Sequence, residues 1–247
     1  MSAPSVTPRF DRLDMLRGVA LVWMAAFHFC FDLSHEGLIK ANFYEDARWT
    51  AQRTLILSMF LVCAGAGQAI AVAQAQSWPR FWKRWSQVAG CALLVSAGSY
   101  WMFPRSYIYF GALHGMAVML IVARLSRSLG AWLWPLGLLA VCLPQWVSHP
   151  WFDTRLHSVL GLVTHKPITE DYVPILPWLG VMWWAVAAMQ WLLKRHPDAL
   201  RSRAAQAHPL AAPGRGLSLL GRWSLTFYML HQPILLGLLA LFLMIRR

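Results

Sequence analysis

The stretch AFHFCFDLSHEG, residues 26–37, closes an apolar run yet carries His28, Asp32, His35 and Glu36. On a helix His28 and Asp32, four residues apart, share one face, and a direct His–Asp contact is geometrically available. A buried carboxylate beside an imidazole fixes its tautomer and raises its basicity, which is what a general base needs. The structural alternative is a polar pair that satisfies itself between helices. Ionisable groups are costly inside a membrane, which weighs toward function.

Three other places carry polar groups in apolar surroundings. His114 in FGALHGMA has Gly111 and Gly115 at i−3 and i+1, leaving room for a helix or ligand to approach. An interhelical hydrogen bond is the plainer role for it. His231 in TFYMLHQPIL is followed by Gln232 and by Pro233, which frees the carbonyl of Met229 from its helical partner. A kink beside His and Gln opens a polar cavity in a membrane helix. Asp14, Arg17 and Gly18 form DMLRG, with the two charges on one helix face. They read either as a snorkelling ion pair or as a cationic rim for an anionic ligand, with Gly18 letting a neighbouring helix come close. His28 lies 14 residues beyond Asp14, roughly 21 Å along a helix.

The elements that must hold these groups follow from composition. The 247 residues are 58% hydrophobic and 13% charged, with a mean hydropathy of +0.46. Soluble domains are about one quarter charged. The chain reads as an all-α, polytopic integral membrane bundle of about seven transmembrane helices, forming one domain over residues 1–247. The spans fall at about 13–33, 52–75, 87–103, 107–124, 130–147, 173–193 and 217–243. The polar N-terminus reads as retained ahead of the first span, not as a cleaved leader. The segment KRHPDALRSRAAQAHPLAAPGRG reads as a mobile tether before the last span.

A formal charge of +12 would suit a nucleic-acid binder, but the Lys and Arg residues sit in short loops, where they set membrane topology. With the N-terminus inside, fourteen fall on the inner face and eight outside. The protein is therefore expected with its N-terminus cytoplasmic and AFHFCFDLSHEG facing outward. The closing Ile-Arg-Arg, left outside by seven spans, runs against this. A final span broken at HQPI, or an eighth crossing, would remove the conflict. Cys30, Cys63, Cys91 and Cys142 have no close spacing and read as apolar packing residues. No phosphate loop, GxSxG, HExxH or zinc spacing is present, and His28 with Asp32 is a weak start for a metal site, so no metal is expected.

DRLDMLRGVALVWMAAFHFCFDL, FLVCAGAGQAI, YFGALHGMAV and LGRWSLTFYMLHQPIL together resemble the heparan-α-glucosaminide N-acetyltransferase catalytic-domain-like family. The match touches the first, second, fourth and seventh expected spans. The resemblance implies a transmembrane acyltransferase that takes an acetyl group from cytoplasmic acetyl-CoA, its donor substrate, and delivers it to a sugar amine or hydroxyl outside. It implies a compact bacterial relative, multi-pass in the inner membrane, so heparan itself is not assumed as the acceptor. The family's catalytic His lies in the outer region after the first span, where His28 and His35 both stand; which of the two is the base stays open.

The expected catalytic residues are thus His28, Asp32 and His114, with His35 as the alternative base. Asp14, Arg17, Arg222, His231 and Gln232 are expected around the donor, with Arg80, Lys83 and Arg84 as further cations at the inner mouth. The partners are acetyl-CoA, an extracytoplasmic glycan or amino sugar and the bilayer; a homo-oligomer is left open. Two other classes compete. A proton-coupled transporter or flippase would use the same buried His and Asp groups, although no paired halves are visible. A non-catalytic scaffold would leave four intramembrane ionisable sites without a purpose.

Overall fold

The computed structural model describes residues 10–196 and 212–246. Their regular structure is helical, with one parallel bridge between Phe110 and Tyr172. The α-helices are α1 (Asp11–His35), α2 (Ala47–Ala73), α3 (Trp78–Met102), α4 (Ala112–Leu125), α5 (Leu133–Trp146), α6 (Ile175–Arg195), α7 (Ala212–Arg222) and α8 (Ser224–Arg246). Short 3₁₀ turns occupy Ser126–Trp132, Pro150–Asp153 and His157–Leu160. Five segments are long and apolar enough to cross a membrane: α1, α2, Ala112–Trp146, α6 and α8. The protein is a multi-pass helical membrane protein.

Contacts group the chain into two compact units. One is Met1–Phe60 with Trp191–Arg247 and the other is Leu61–Gln190; the continuous helices α2 and α6 contribute to both.

In the first unit, α1 begins with Asp11 and Asp14 in its first turn, where carboxylates complement the positive helix end. It stops at Gly37, whose φ of 70° suits the left-handed turn that closes a helix. The carboxylate of Asp46 then accepts the Arg48 amide at 2.8 Å and starts α2. Trp23 Nε1 donates to Gln52 Oε1 at 3.1 Å, and Leu21, Met24 and Ile56 form a core with Phe27, Phe60, Leu220 and Phe227 around it.

The segment expected as one last span, 217–243, is two helices. The chain breaks at Trp223, between α7 and α8, and α8 runs unbroken through Pro233. Of the expected tether, residues 212–216 are the first turns of α7, and 197–211 lie outside the described residues. The reason is packing. Gly18 meets the backbone of Leu217 and Gly221 meets the backbone of Asp14, so closely that a Cβ at either position would strike a carbonyl oxygen. Two glycines let α7 lie antiparallel on the start of α1, and the chain must turn before it can continue. It then runs parallel to α1, bringing His231 to His28 and Gln232 to Asp32. Parallel running carries the far end of α8 to the end of α1 that holds Glu36, where Leu236, Leu239 and Leu243 line a hollow with that residue.

In the second unit, α4 and α5 form a hairpin. Along α6, Gly115 of α4 meets Val173 and Trp183 donates to Ser126 just past the α4 end, so the two helices run the same way. Gly137 of α5 packs on Trp184 and Gly180, and Trp184 Nε1 donates to the Trp134 carbonyl at 3.0 Å, so α5 runs the other way. The reversal is the Ser126–Trp132 turn, where Gly130 adopts a φ of 55°. The apolar stretch Ala112–Trp146 is therefore the two helices expected at 107–124 and 130–147. The first starts at Ala112, later than expected, because Ile108 is drawn into the preceding turn by its amide bond to Ser99 Oγ at 3.0 Å. The expected span 87–103 is the latter part of α3, whose first turns carry Arg80, Lys83 and Arg84.

Candidate functional site

The polar groups of α1 and α8 meet in register. His231 Nδ1 lies 2.8 Å from the Tyr228 carbonyl, which can only accept, so Nδ1 carries the proton. A neutral His231 then offers Nε2 as a lone pair, and His28 Nδ1, at 3.2 Å, donates to it. That assignment leaves Nε2 of a neutral His28 unprotonated, as a base or nucleophile requires. Phe27 packs edge-on to the His28 ring, and Phe227 stacks on His231 at 8°.

One turn further along α1, Gln232 Nε2 donates to both oxygens of Asp32, at 2.8 and 3.0 Å. Asp32 is 4% exposed and His231 7%. Gln232 Oε1 is buried with no hydrogen-bond partner among the described residues. The pairing thus differs from the one the spacing suggested: His28 goes to His231 and Asp32 to Gln232, both across to α8, where the sequence favoured a contact within α1. His35, at the end of α1, is exposed, with its ring stacked on Phe31 at 6.4 Å. Phe31, His35, Asn42, Phe43 and Tyr44 line an open hollow of about 380 Å³.

The other end of α1 is an ion-pair cluster. Arg17 Nη1 donates to Asp14 Oδ1 at 2.9 Å, and Arg222 Nη2 donates to Asp11 Oδ1 at 2.8 Å with its Nε 3.8 Å from Asp14 Oδ2. Arg17 also reaches the Gly221 carbonyl at 3.5 Å. Two carboxylates thus face two guanidiniums, so the rim is far less cationic than Arg17 and Arg222 suggest by themselves. Asp11 is the member that sequence reasoning missed. Its place three residues before Asp14 was visible, but its partner stands 211 residues away.

His114 belongs to the second unit, at the start of α4. Ser96 Oγ donates to the Ile108 carbonyl at 2.7 Å and therefore accepts from His114 Nε2 at 2.9 Å. Nδ1 is then the lone pair, and the Gly111 amide donates to it at 3.3 Å. Both ring nitrogens are engaged within the protein, and the neighbouring Ala112 amide bonds Asp171 Oδ2 at 2.6 Å. In this state His114 holds the N-terminus of α4 in place. Ser96 and Asp171 gave no signal in the sequence, since neither stands at helical spacing from His114.

Outside the spans, Thr164 donates its amide and hydroxyl to Asp153 at 2.8 and 2.6 Å, and these bonds hold the carboxyl below the usual carboxylate range. Burial pushes the Tyr172 phenol up, and its hydroxyl donates to the Ser158 carbonyl at 2.6 Å.

An all-helical, multi-pass chain with His, Asp and Gln facing each other inside apolar helices is a polytopic membrane protein built around an intramembrane polar centre. The model of the family described as heparan-alpha-glucosaminide N-acetyltransferase, catalytic, matches residues 9–233, and the chain belongs to that family of membrane acetyltransferases. Neither the curated proteins nor the solved structures contain a match to it.

Proposed function

We propose that the protein takes an acetyl group from cytoplasmic acetyl-CoA and delivers it to an amine or hydroxyl of a sugar on the outer side of a bacterial inner membrane. The family and the apolar helices support this reading, and the excess of Lys and Arg in the expected inner loops supports an N-terminus on the cytoplasmic side. The observation that carries the chemistry is the His28–His231 contact, because it leaves His28 Nε2 with a lone pair inside an apolar helix pair.

In this reading His28 Nε2 removes the proton from the acceptor as its oxygen or nitrogen attacks the thioester carbonyl. The carbon–sulfur bond breaks and the proton passes from His28 to the CoA thiolate. His231 accepts from Nδ1–H throughout and steadies the imidazolium that forms. Asp32 and Gln232, one turn nearer the α1 end, offer a carboxylate and an amide to acceptor hydroxyls. Arg17 and Arg222 meet the donor's charged end by exchanging Asp14 and Asp11 for phosphate. His114 acts as a positioning residue through α4. His35 remains the alternative base, since it borders an open hollow that an acceptor could enter.

The test is direct. Purified protein is given acetyl-CoA and a panel of hexosamines and hexosamine-bearing glycans, and products are read by mass spectrometry. An acetylated sugar with stoichiometric free CoA supports the reading. A protein that binds no acetyl-CoA, but moves protons when reconstituted in vesicles, would make it a transporter.

A further inference from the structure

Residues 47–152 contain no Asp or Glu, yet they include Arg80, Lys83, Arg84, Arg124 and Arg127. Among these Arg124 is placed most expensively. Its side chain is among the largest fully buried ones, at 2% exposure. A single hydrogen bond is made, from Nη2 to the Gln76 carbonyl at 2.5 Å, while Nε and Nη1 are buried without a partner among the described residues. The guanidinium lies 5.2 Å from the Trp78 ring centre and 5.5 Å from that of Phe81. Arg127 approaches the same Trp78 ring at 5.8 Å.

Trp78 and Phe81 are in the first turn of α3, a 25-residue helix whose N-cap, Ser77, makes no side-chain capping bond. The positive end of a long helix, a buried guanidinium and a second arginine therefore converge with no carboxylate among the residues that meet there. A buried charge without a counter-charge is costly, and ring faces offset only part of that cost. The bond to the Gln76 carbonyl, in the connection between α2 and α3, explains one donor of Arg124. It leaves Nε and Nη1, on either side of it, without a partner among the described residues. At the α1 rim the two arginines already hold Asp14 and Asp11; here no described residue supplies the opposite sign. The group that matches unpartnered guanidinium N–H donors beside a helix N-terminus is a phosphate.

We propose that Arg124, with Arg127 and the start of α3, forms a phosphate-binding site whose anion comes from outside the chain. The phosphate belongs either to CoA or to an anionic phospholipid. Only the first source rests on the acetyl-transfer reading.

The full chain, purified in uncharged detergent, is titrated with coenzyme A, and separately with phosphatidylglycerol against phosphatidylcholine in mixed micelles. Binding is read from tryptophan fluorescence and from the shift in thermal midpoint. Wild type is expected to bind at least one of the two phosphate probes, more weakly as salt rises. Arg124→Gln, which keeps a donor for the Gln76 carbonyl but removes the charge, is expected to weaken that binding at least tenfold, and Arg127→Gln several-fold. If Arg124→Gln fails to fold, Arg127→Gln alone carries the test. Loss confined to coenzyme A assigns the site to the donor, and loss confined to phosphatidylglycerol assigns it to lipid. Wild type binding neither probe, or folded variants binding both as wild type does, overturns the proposal. Coenzyme A binding that persists while phosphatidylglycerol binding is lost leaves both this site and the acetyl-transfer reading standing. Wild type that never binds coenzyme A removes that reading without touching a lipid-filled site.

Discussion

At the scale of single residues, the centre is held by hydrogen bonds that fix which nitrogen carries which proton. The Tyr228 carbonyl decides the tautomer of His231, and His231 decides that of His28. Replacing His231 by Ala removes the acceptor for His28 Nδ1–H while leaving the base in place. Losing one hydrogen bond of about 1.4 kcal/mol to an imidazolium should lower turnover about tenfold. The drop in single-turnover rate, with acetyl-CoA affinity unchanged, is the measurement. A rate equal to wild type would mean that His28 does not rely on α8. Nothing in the sequence linked these residues, because the partners lie about two hundred positions apart; what was legible was that His28, Asp32, His231 and Gln232 are each out of place in apolar helices. The spacing of His28 and Asp32 suggested a pair within α1, and the structure instead turns both across to α8. Helical spacing shows which residues share a face but not what faces them.

At the scale of elements, the break at Trp223 and the close α1–α7 contact decide where α8 can run. Gly221→Ala places a Cβ against the Asp14 carbonyl, and backbone cannot move aside as a side chain can. Such overpacking costs about 1–3 kcal/mol. The thermal midpoint in detergent should fall by several degrees, whereas Gly237→Ala, with open space at its Cβ, should change it little. Equal midpoints would show that α7 is not clamped on α1. Gly18 was legible as a place of close approach, but α7 itself was not: its opening Ala-Pro-Gly-Arg-Gly has the composition of a tether and is helical because α1 receives it. The loop after α5 makes a separate prediction. Asp153 has its carboxyl pKa depressed by Thr164, so the stability this clasp adds is present above the ordinary Asp value and is lost only as pH falls through the lower folded value. Hydrogen-exchange protection of the Thr164 amide should therefore persist into acid below the usual carboxylate range. Asp153→Asn should show weaker protection, flat across that window. Protection in wild type that vanishes at the ordinary Asp value would contradict the clasp.

At the scale of the whole molecule, the helix directions fix parity. α8 runs parallel to α1, so the two helices end on the same face and an odd number of crossings joins them. The seven expected spans satisfy this with α4 and α5 as a hairpin and α3 counted as a crossing, although α3 is not among the five segments long and apolar enough to cross. The closing Ile245 and Arg246 therefore lie on the face of Glu36, so the two expected ways of moving them to the other face, a span broken at HQPI or an eighth crossing, are not what α8 shows. A reporter fused after Ser34 should read as external, one after Arg84 as cytoplasmic, and one after Arg246 as external. The opposite set would place His35 and its hollow on the donor side and invert the proposed direction of transfer. That the chain is a helical bundle with several membrane-crossing segments was legible from composition. Seven spans were expected, and five segments long and apolar enough to cross are found among the described residues. Their grouping into pairs was not, because it depends on glycine contacts such as Gly137 with Gly180, which follow no local pattern.

The central claim is that His28 performs the chemistry and not the binding. General-base catalysis contributes on the order of 10²–10⁴ in rate. Single-turnover acetyl transfer is measured with enzyme in excess over labelled acetyl-CoA, alongside donor affinity, for wild type, His28→Ala and His35→Ala. His28→Ala should lose at least about 10² in rate while keeping donor affinity, since a group used only in the transition state changes turnover and not ground-state binding. His35→Ala should stay near wild type. Near-normal turnover in His28→Ala would contradict the account, and if His35→Ala were then the inactive variant, the base would be the exposed histidine at the end of α1.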